Sequence, residues 1–126
     1  MAKIAALMTD GGGAEKPTLL WSNASGTNSN IPLDHSAYQY LIFVCGSTRS
    51  WCTKKKTTLC DKTQERHLLA MGTLNADSYT YMMARITTGS ITFPKKEESQ
   101  CLCYAIYGCN SLNIDYTDIW ARGDIG

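Results

Sequence analysis

The run Cys101-Leu102-Cys103-Tyr104-Ala105-Ile106-Tyr107 offers water no polar face. Taken as a strand, it puts Cys101, Cys103, Ala105 and Tyr107 on one side and Leu102, Tyr104 and Ile106 on the other. Both sides then need cover, which makes this the central strand of a sandwich or barrel. Lys95-Lys96-Glu97-Glu98 bounds it on one side and Gly108 on the other. A helix is disfavoured, because Cys, Tyr and Ile prefer extended backbone and no capping residue precedes a 3.6-residue repeat.

The rest of the chain supplies partners for it. Thr18 to Trp21 predicts a first strand, and Ser22 to Asn30 a polar loop dense in turn formers. Ile31-Pro32-Leu33 is a short extended piece whose proline suits a sheet edge. Tyr38 to Cys45 is a second strand apolar on both sides. Trp51 to Thr58, with Lys54-Lys55-Lys56, reads as a loop or a lysine-protected edge. His67 to Met71 is a further strand. Tyr79 to Thr87 alternates, with Thr80, Met82, Ala84 and Ile86 facing a core, and Ser90 to Phe93 is closed by Pro94. Short strands at this spacing, separated by turn signals, predict an all-β fold: a single antiparallel β-sandwich, jelly-roll-like. Residues 1–16, with Gly11-Gly12-Gly13, form a flexible N-terminal arm; residues 17–110 form the sandwich; residues 111–126 form a C-terminal docking tail.

Composition narrows the function. A formal charge of +1 on 126 residues gives no field that would gather nucleic acid. No apolar run approaches the ~20 residues of a helical span, so no membrane insertion is expected. The apolar stretch after Met1 is shorter than a secretion signal requires. The six cysteines are therefore expected to be mostly reduced core thiols. Apart from the long interval between Cys60 and Cys101, they are separated by six, seven, one and five residues, outside the C-x₂₋₄-C pairs of structural zinc, so neither metal nor cofactor is expected. No cysteine has the flanking chemistry that would lower its pKa beside His35 or His67, so no catalytic residue and no enzyme is expected. Asn23-Ala24-Ser25 and Arg122-Gly123-Asp124 match a glycosylation acceptor and an integrin-type tripeptide, motifs short enough to arise by chance.

Surface recognition is what remains. Seven Tyr and three Trp offer large contact area at low entropy cost. Arg49, Trp51 and Tyr79 lie beside turns, where a large side chain is hard to bury; with Lys54 they form the expected receptor-binding set.

The order of three segments resembles a known pattern. Leu20-Trp21-Ser22-Asn23, then Leu33 with Tyr38, Leu41 and Phe43, then Ala105-Ile106-Tyr107-Gly108 is similar to a β-sandwich domain of phage and prophage tail fibres and baseplate appendages. The resemblance implies a virion protein on the exterior of a tail or head, made in the bacterial cytoplasm and often trimeric. It would bind a host surface glycan or protein without catalytic residues. The alternative is a structural capsid-decoration or head-fibre protein whose partner is the virion itself. Apolar residues at both chain ends also predict a homo-oligomer, with a trimer favoured.

Overall fold

The computed structural model describes residues 13–48, 54–75, 78–96 and 101–125, with the side chains of 70–75, 78–80 and 95–96 outside that description. Its strands are β1 (Thr18–Thr27), β2 (Ile31–Pro32), β3 (Tyr40–Ser47), β4 (Lys56–Asp61), β5 (Arg66–Asn75), β6 (Ser78–Thr87), β7 (Ser90–Lys96) and β8 (Cys101–Cys109), followed by a helical turn, α1 (Thr117–Trp120). They form two four-stranded antiparallel sheets, β1-β8-β3-β4 and β2-β7-β6-β5. The chain is therefore the all-β sandwich its alternation predicts. Its jelly-roll-like character lies in two nested pairings, β1 with β8 and β2 with β7.

β8 is central, with β1 on one edge and β3 on the other. Its faces differ from strict alternation. The β3 register slips from Val44↔Ala105 to Cys45↔Cys103, a bulge at Tyr104 that inverts the phase. Cys101, Cys103 and Ile106 thus enter the core between the sheets, beside Leu41, Phe43, Cys45, Met82 and Ile91. Ala105 and Cys109 face the opposite way with Ile42 and Val44. Sequence alternation put Ala105 with Cys101 and Cys103; the bulge separates them.

Two further differences have local causes. β1 continues to Thr27 instead of ending at Trp21, because Ser22 and Thr27 both keep register with β8 while the chain between them arches out. Pro94 does not end β7. It falls where the β6 register slips between Met83↔Lys95 and Arg85↔Thr92, and beyond Ile91, the last β7 residue paired with β2, so its missing N–H costs no ladder bond. On β6, Met82, Ala84 and Ile86 are buried as expected.

The outer face of the β1-β8-β3-β4 sheet is covered by the chain's own C-terminal segment. Ile119, on α1, is completely buried against Ile42, Val44, Ala105 and Cys109, with Ile114, Tyr116 and Ile125 around it. The docking tail expected at a subunit boundary thus docks in cis and forms a third layer. It is pinned at both ends. At one end Glu15 N–H donates to Asn113 O at 2.8 Å, Asp115 N–H donates to Glu15 O at 2.9 Å, and the Glu15 carboxylate accepts from Asn110 N–H. Glu15 is therefore part of the fold; residues 1–12 of the expected arm lie outside the described residues. At the other end Lys55 N–H donates to Asp124 O, and the Lys55 ammonium pairs with the Asp124 carboxylate.

The strand directions give the sandwich two ends. The β3–β4, β5–β6 and β7–β8 connections leave from one, and the β2–β3, β4–β5 and β6–β7 connections from the other.

Two substitutions test this packing. A methyl on Gly108 would sit 2.5 Å from the Tyr38 ring and 2.9 Å from Leu20, so Gly108→Ala is expected to lower unfolding free energy by about 1–3 kcal/mol. Ile119→Ala should cost about 2–5 kcal/mol if the tail is an integral layer. Urea unfolding measures both, and a neutral Ile119→Ala would show that the tail is not part of the cooperative unit.

Candidate functional site

The expected binding residues fall at one end of the molecule where they can be located. Lys54, just ahead of β4, is exposed, and its ammonium donates to Gly123 O at 3.0 Å. One of its three N–H groups is therefore spent on holding the C-terminal turn. The Tyr79 backbone pairs with Thr73 at the end of the β5–β6 hairpin, with its side chain outside the description. Arg49 and Trp51 lie outside the described residues. Because β4 and β6 begin at the same end, the topology puts Lys54 and the Tyr79 backbone there.

A different site has visible geometry. A shallow groove of about 300 Å³ runs along the outer face of the first sheet, lined by Leu19, Ser22, Asn23, Ala24, Tyr104, Tyr107 and Arg122. β1 builds its rim. From Ser22↔Ala105 to Thr27↔Cys103, β1 takes five steps where β8 takes two, so the surplus residues arch outward. An Asx turn fixes the arch, with Ser25 N–H donating to Asn23 Oδ1 at 2.9 Å.

Tyr104 is held by its neighbours. A methyl on Gly26 would come within 2.8 Å of the Tyr104 ring and one on Gly46 within 3.4 Å, so the ring lies across the backbones of both adjacent strands. Gly26 also has φ +74°, a left-handed conformation that glycine adopts without strain. The Lys55 ammonium lies 4.4 Å from the ring centroid, a cation–π contact. Arg122 stands on the tail side, its Nε 3.8 Å from Asp124 Oδ1. The Lys55 hydrogen bond, with the charges of Lys55 and Arg122, keeps the Asp124 carboxyl below its usual pKa. Asp124 of the integrin-type tripeptide is thus engaged in the chain's own fold.

The groove combines two phenol rings and Leu19 with Ser22, Asn23 and Arg122. Apolar platforms beside a few polar groups suit a carbohydrate unit, whose C–H faces stack on aromatic rings while its hydroxyls meet the polar rim. Sequence reasoning did not single out these residues. Tyr104 and Tyr107 read as core because the bulge that turns Tyr104 outward has no signature in the apolar pattern, and Arg122 read as part of a chance tripeptide.

The thiols are core groups. Cys45, Cys60, Cys103 and Cys109 are free and buried, and Cys101 is buried with its Sγ 3.2 Å from Tyr81 O; Cys52 lies outside the described residues. Burial, reinforced by Cys103, pushes the Cys45 thiol well above its ordinary value, and burial pushes Cys60 up to about 12. Among the described residues no group of three or more His, Cys, Asp or Glu side chains has a metal-binding arrangement. The histidines bind backbone: His67 Nε2 lies 3.0 Å from Asp61 O and Gln64 O, and His35 Nε2 lies 2.7 Å from Thr87 O. His35 is buried. No family model matches the chain, and neither curated proteins nor solved structures provide a match.

The buried thiols give a pH prediction. A thiol whose folded pKa is raised from 9.0 to about 12 stabilises the fold fully below pH 9, and that contribution is lost as pH rises toward 12. Each such thiol adds a slope of at most about 1.4 kcal/mol per pH unit. Urea midpoints should therefore fall between pH 9 and 11, and Cys60→Ala should flatten the decline although it lowers the starting stability. An unchanged slope would contradict the burial of this thiol.

Proposed function

We propose that the chain is a phage virion protein of the tail-fibre or receptor-binding-tip type that recognises a host surface glycan. The observation that carries the reading is where the three segments of the tail-fibre resemblance meet. Leu20 from the first, Tyr38 from the second and Gly108 from the third form one contact, in which only a glycine leaves room for the Tyr38 ring. The spaced fragments thus correspond to one packing unit joining β1, β8 and the approach to β3. The groove of Tyr104, Tyr107, Asn23 and Arg122 supplies a glycan-sized recognition surface along the same two strands. Arg49, Trp51, Lys54 and Tyr79 remain the proposed receptor contacts, with Lys54 and Tyr79 at the end where β4 and β6 begin.

The assembly we propose is a homotrimer. After the tail has docked in cis, Leu112 stays 66% exposed and Trp120 57% exposed, with Trp120 stacked on Tyr116 at 5.0 Å. These residues give a second subunit an apolar surface. They equally favour the decoration reading, in which the same patch seats the domain on the virion.

An array of bacterial surface glycans, read with native protein, tests recognition. Asn23→Ala and Arg122→Ala are each expected to weaken binding about tenfold, and Trp51→Ala by ~2 kcal/mol or more if its indole anchors the receptor. Leu68→Ala, on β5, should leave binding unchanged. Binding to no glycan, with antibody labelling absent from virions of the source, would contradict the proposal.

A further inference from the structure

The end of the sandwich away from Lys54 carries a second cavity, of about 370 Å³, that the groove does not share. Three connections build it. The β2–β3 loop supplies Asp34, His35 and Ser36; the β4–β5 turn supplies Lys62; the end of β6 and its turn supply Ile86 to Gly89. Its size is at the small end of ligand sites, enough for a monosaccharide and too small for an extended cofactor.

The cavity's polar groups are held in place and only partly used. Asp34 Oδ1 accepts from both Ser36 N–H, at 3.0 Å, and Ser36 Oγ, at 2.7 Å; these bonds fix the carboxylate and leave Oδ2 available. Lys62 Nζ donates to His35 O at 2.6 Å, which leaves two N–H donors. Burial lowers the Lys62 pKa, with the Asp34 charge opposing that shift. His35 is 5% exposed. Its Nε2 faces the Thr87 carbonyl, which can only accept, so Nε2 carries the hydrogen and Nδ1 of the neutral ring is an acceptor. That Nδ1 is buried without a partner, which costs free energy and leaves the ring held only through Nε2.

We propose that this cavity is a second binding site, for a neutral sugar residue, recognised through its hydroxyl groups. A hydroxyl can donate and accept at once. It can give its proton to Asp34 Oδ2 and take one from Lys62. A carboxylate offers no proton to that acceptor, and a carboxylate or phosphate anion meets the Asp34 charge at the rim. One cation and one anion give the lining no net charge, and Ile86 offers a methyl surface to a sugar's C–H face. The site is independent of the groove reading, because no residue is common to the two.

The test is an NMR titration of the ¹⁵N-labelled full chain with glucose, galactose, mannose and N-acetylglucosamine. Glucuronate and inorganic phosphate are the charged controls. A neutral sugar is expected to shift the amides of Ser36, Thr88 and Gly89 and the His35 ring resonances saturably, with glucuronate and phosphate at least tenfold weaker. Asp34→Asn and Lys62→Met should each weaken that binding at least tenfold. Thr88→Tyr, which narrows the mouth without removing any of these hydrogen bonds, should abolish it while the spectrum stays folded. Saturable shifts confined to the groove residues would overturn this site and leave the groove reading standing. Preferential binding of glucuronate or phosphate, or no saturable shift at any of these amides, would also overturn it.

Discussion

A strand with no polar side has to be paired on both edges and covered on both faces, and β8 meets that demand by recruiting most of the domain. β1 and β3 take its backbone hydrogen bonds. The β2-β7-β6-β5 sheet covers Cys101, Cys103 and Ile106. The remaining face cannot be left to water, so the chain returns after Asn110 and lays Ile114, Ile119 and Ile125 across Ala105, Cys109, Ile42 and Val44. The tail is thus the cover that makes a doubly apolar β8 and β3 tolerable in water. Its apolar contacts are long-range, and the polar pins at Glu15 and Lys55 set where it lies.

Much of this was legible in the sequence. Double-sided apolarity marked β8 and β3 as central, and alternation marked the inner face of β6. What escaped was where the periodicity breaks. The Tyr104 bulge moves Ala105 from the face of Cys103 to the opposite one, and the arch of Asn23 to Gly26 keeps β1 in register past a stretch that reads as loop. Both features depend on which residues lie opposite on the neighbouring strand, information absent from either strand alone. The tail was recognised as apolar and in need of a docking surface, but nothing local to residues 111–126 specifies that this surface is its own sheet. The groove escaped for the same reason as the bulge, since its two tyrosines belong to a run whose composition signals core. His35 drew notice in the sequence as a possible partner for a thiol; its burial follows from three connections closing over it.

The proposed binding chemistry lies on three separate parts of the frame. One end carries the proposed receptor contacts near Lys54 and Tyr79, the outer face carries the tyrosine groove, and the opposite end carries the His35–Lys62 cavity. The same structural economy explains all three. Strand ends and bulges are where backbone leaves the ladder, and there polar side chains can be fixed by short-range bonds, as Asn23 is by Ser25 and Asp34 by Ser36. The interior contributes stiffness, and its thiols, driven toward the neutral form by burial, behave as small apolar side chains.

The central claim is that β8, enclosed on both faces, is the last element to open. Native-state hydrogen exchange measures this directly. The account predicts that the amides of Ala105, Ile106 and Tyr107 on β8, with those of Ile42 and Phe43 on β3, exchange only through global unfolding. Their opening free energy should equal the value from denaturant titration. If these amides instead open at a markedly lower free energy than those of β6, the tail does not shield the sheet and the three-layer account is wrong.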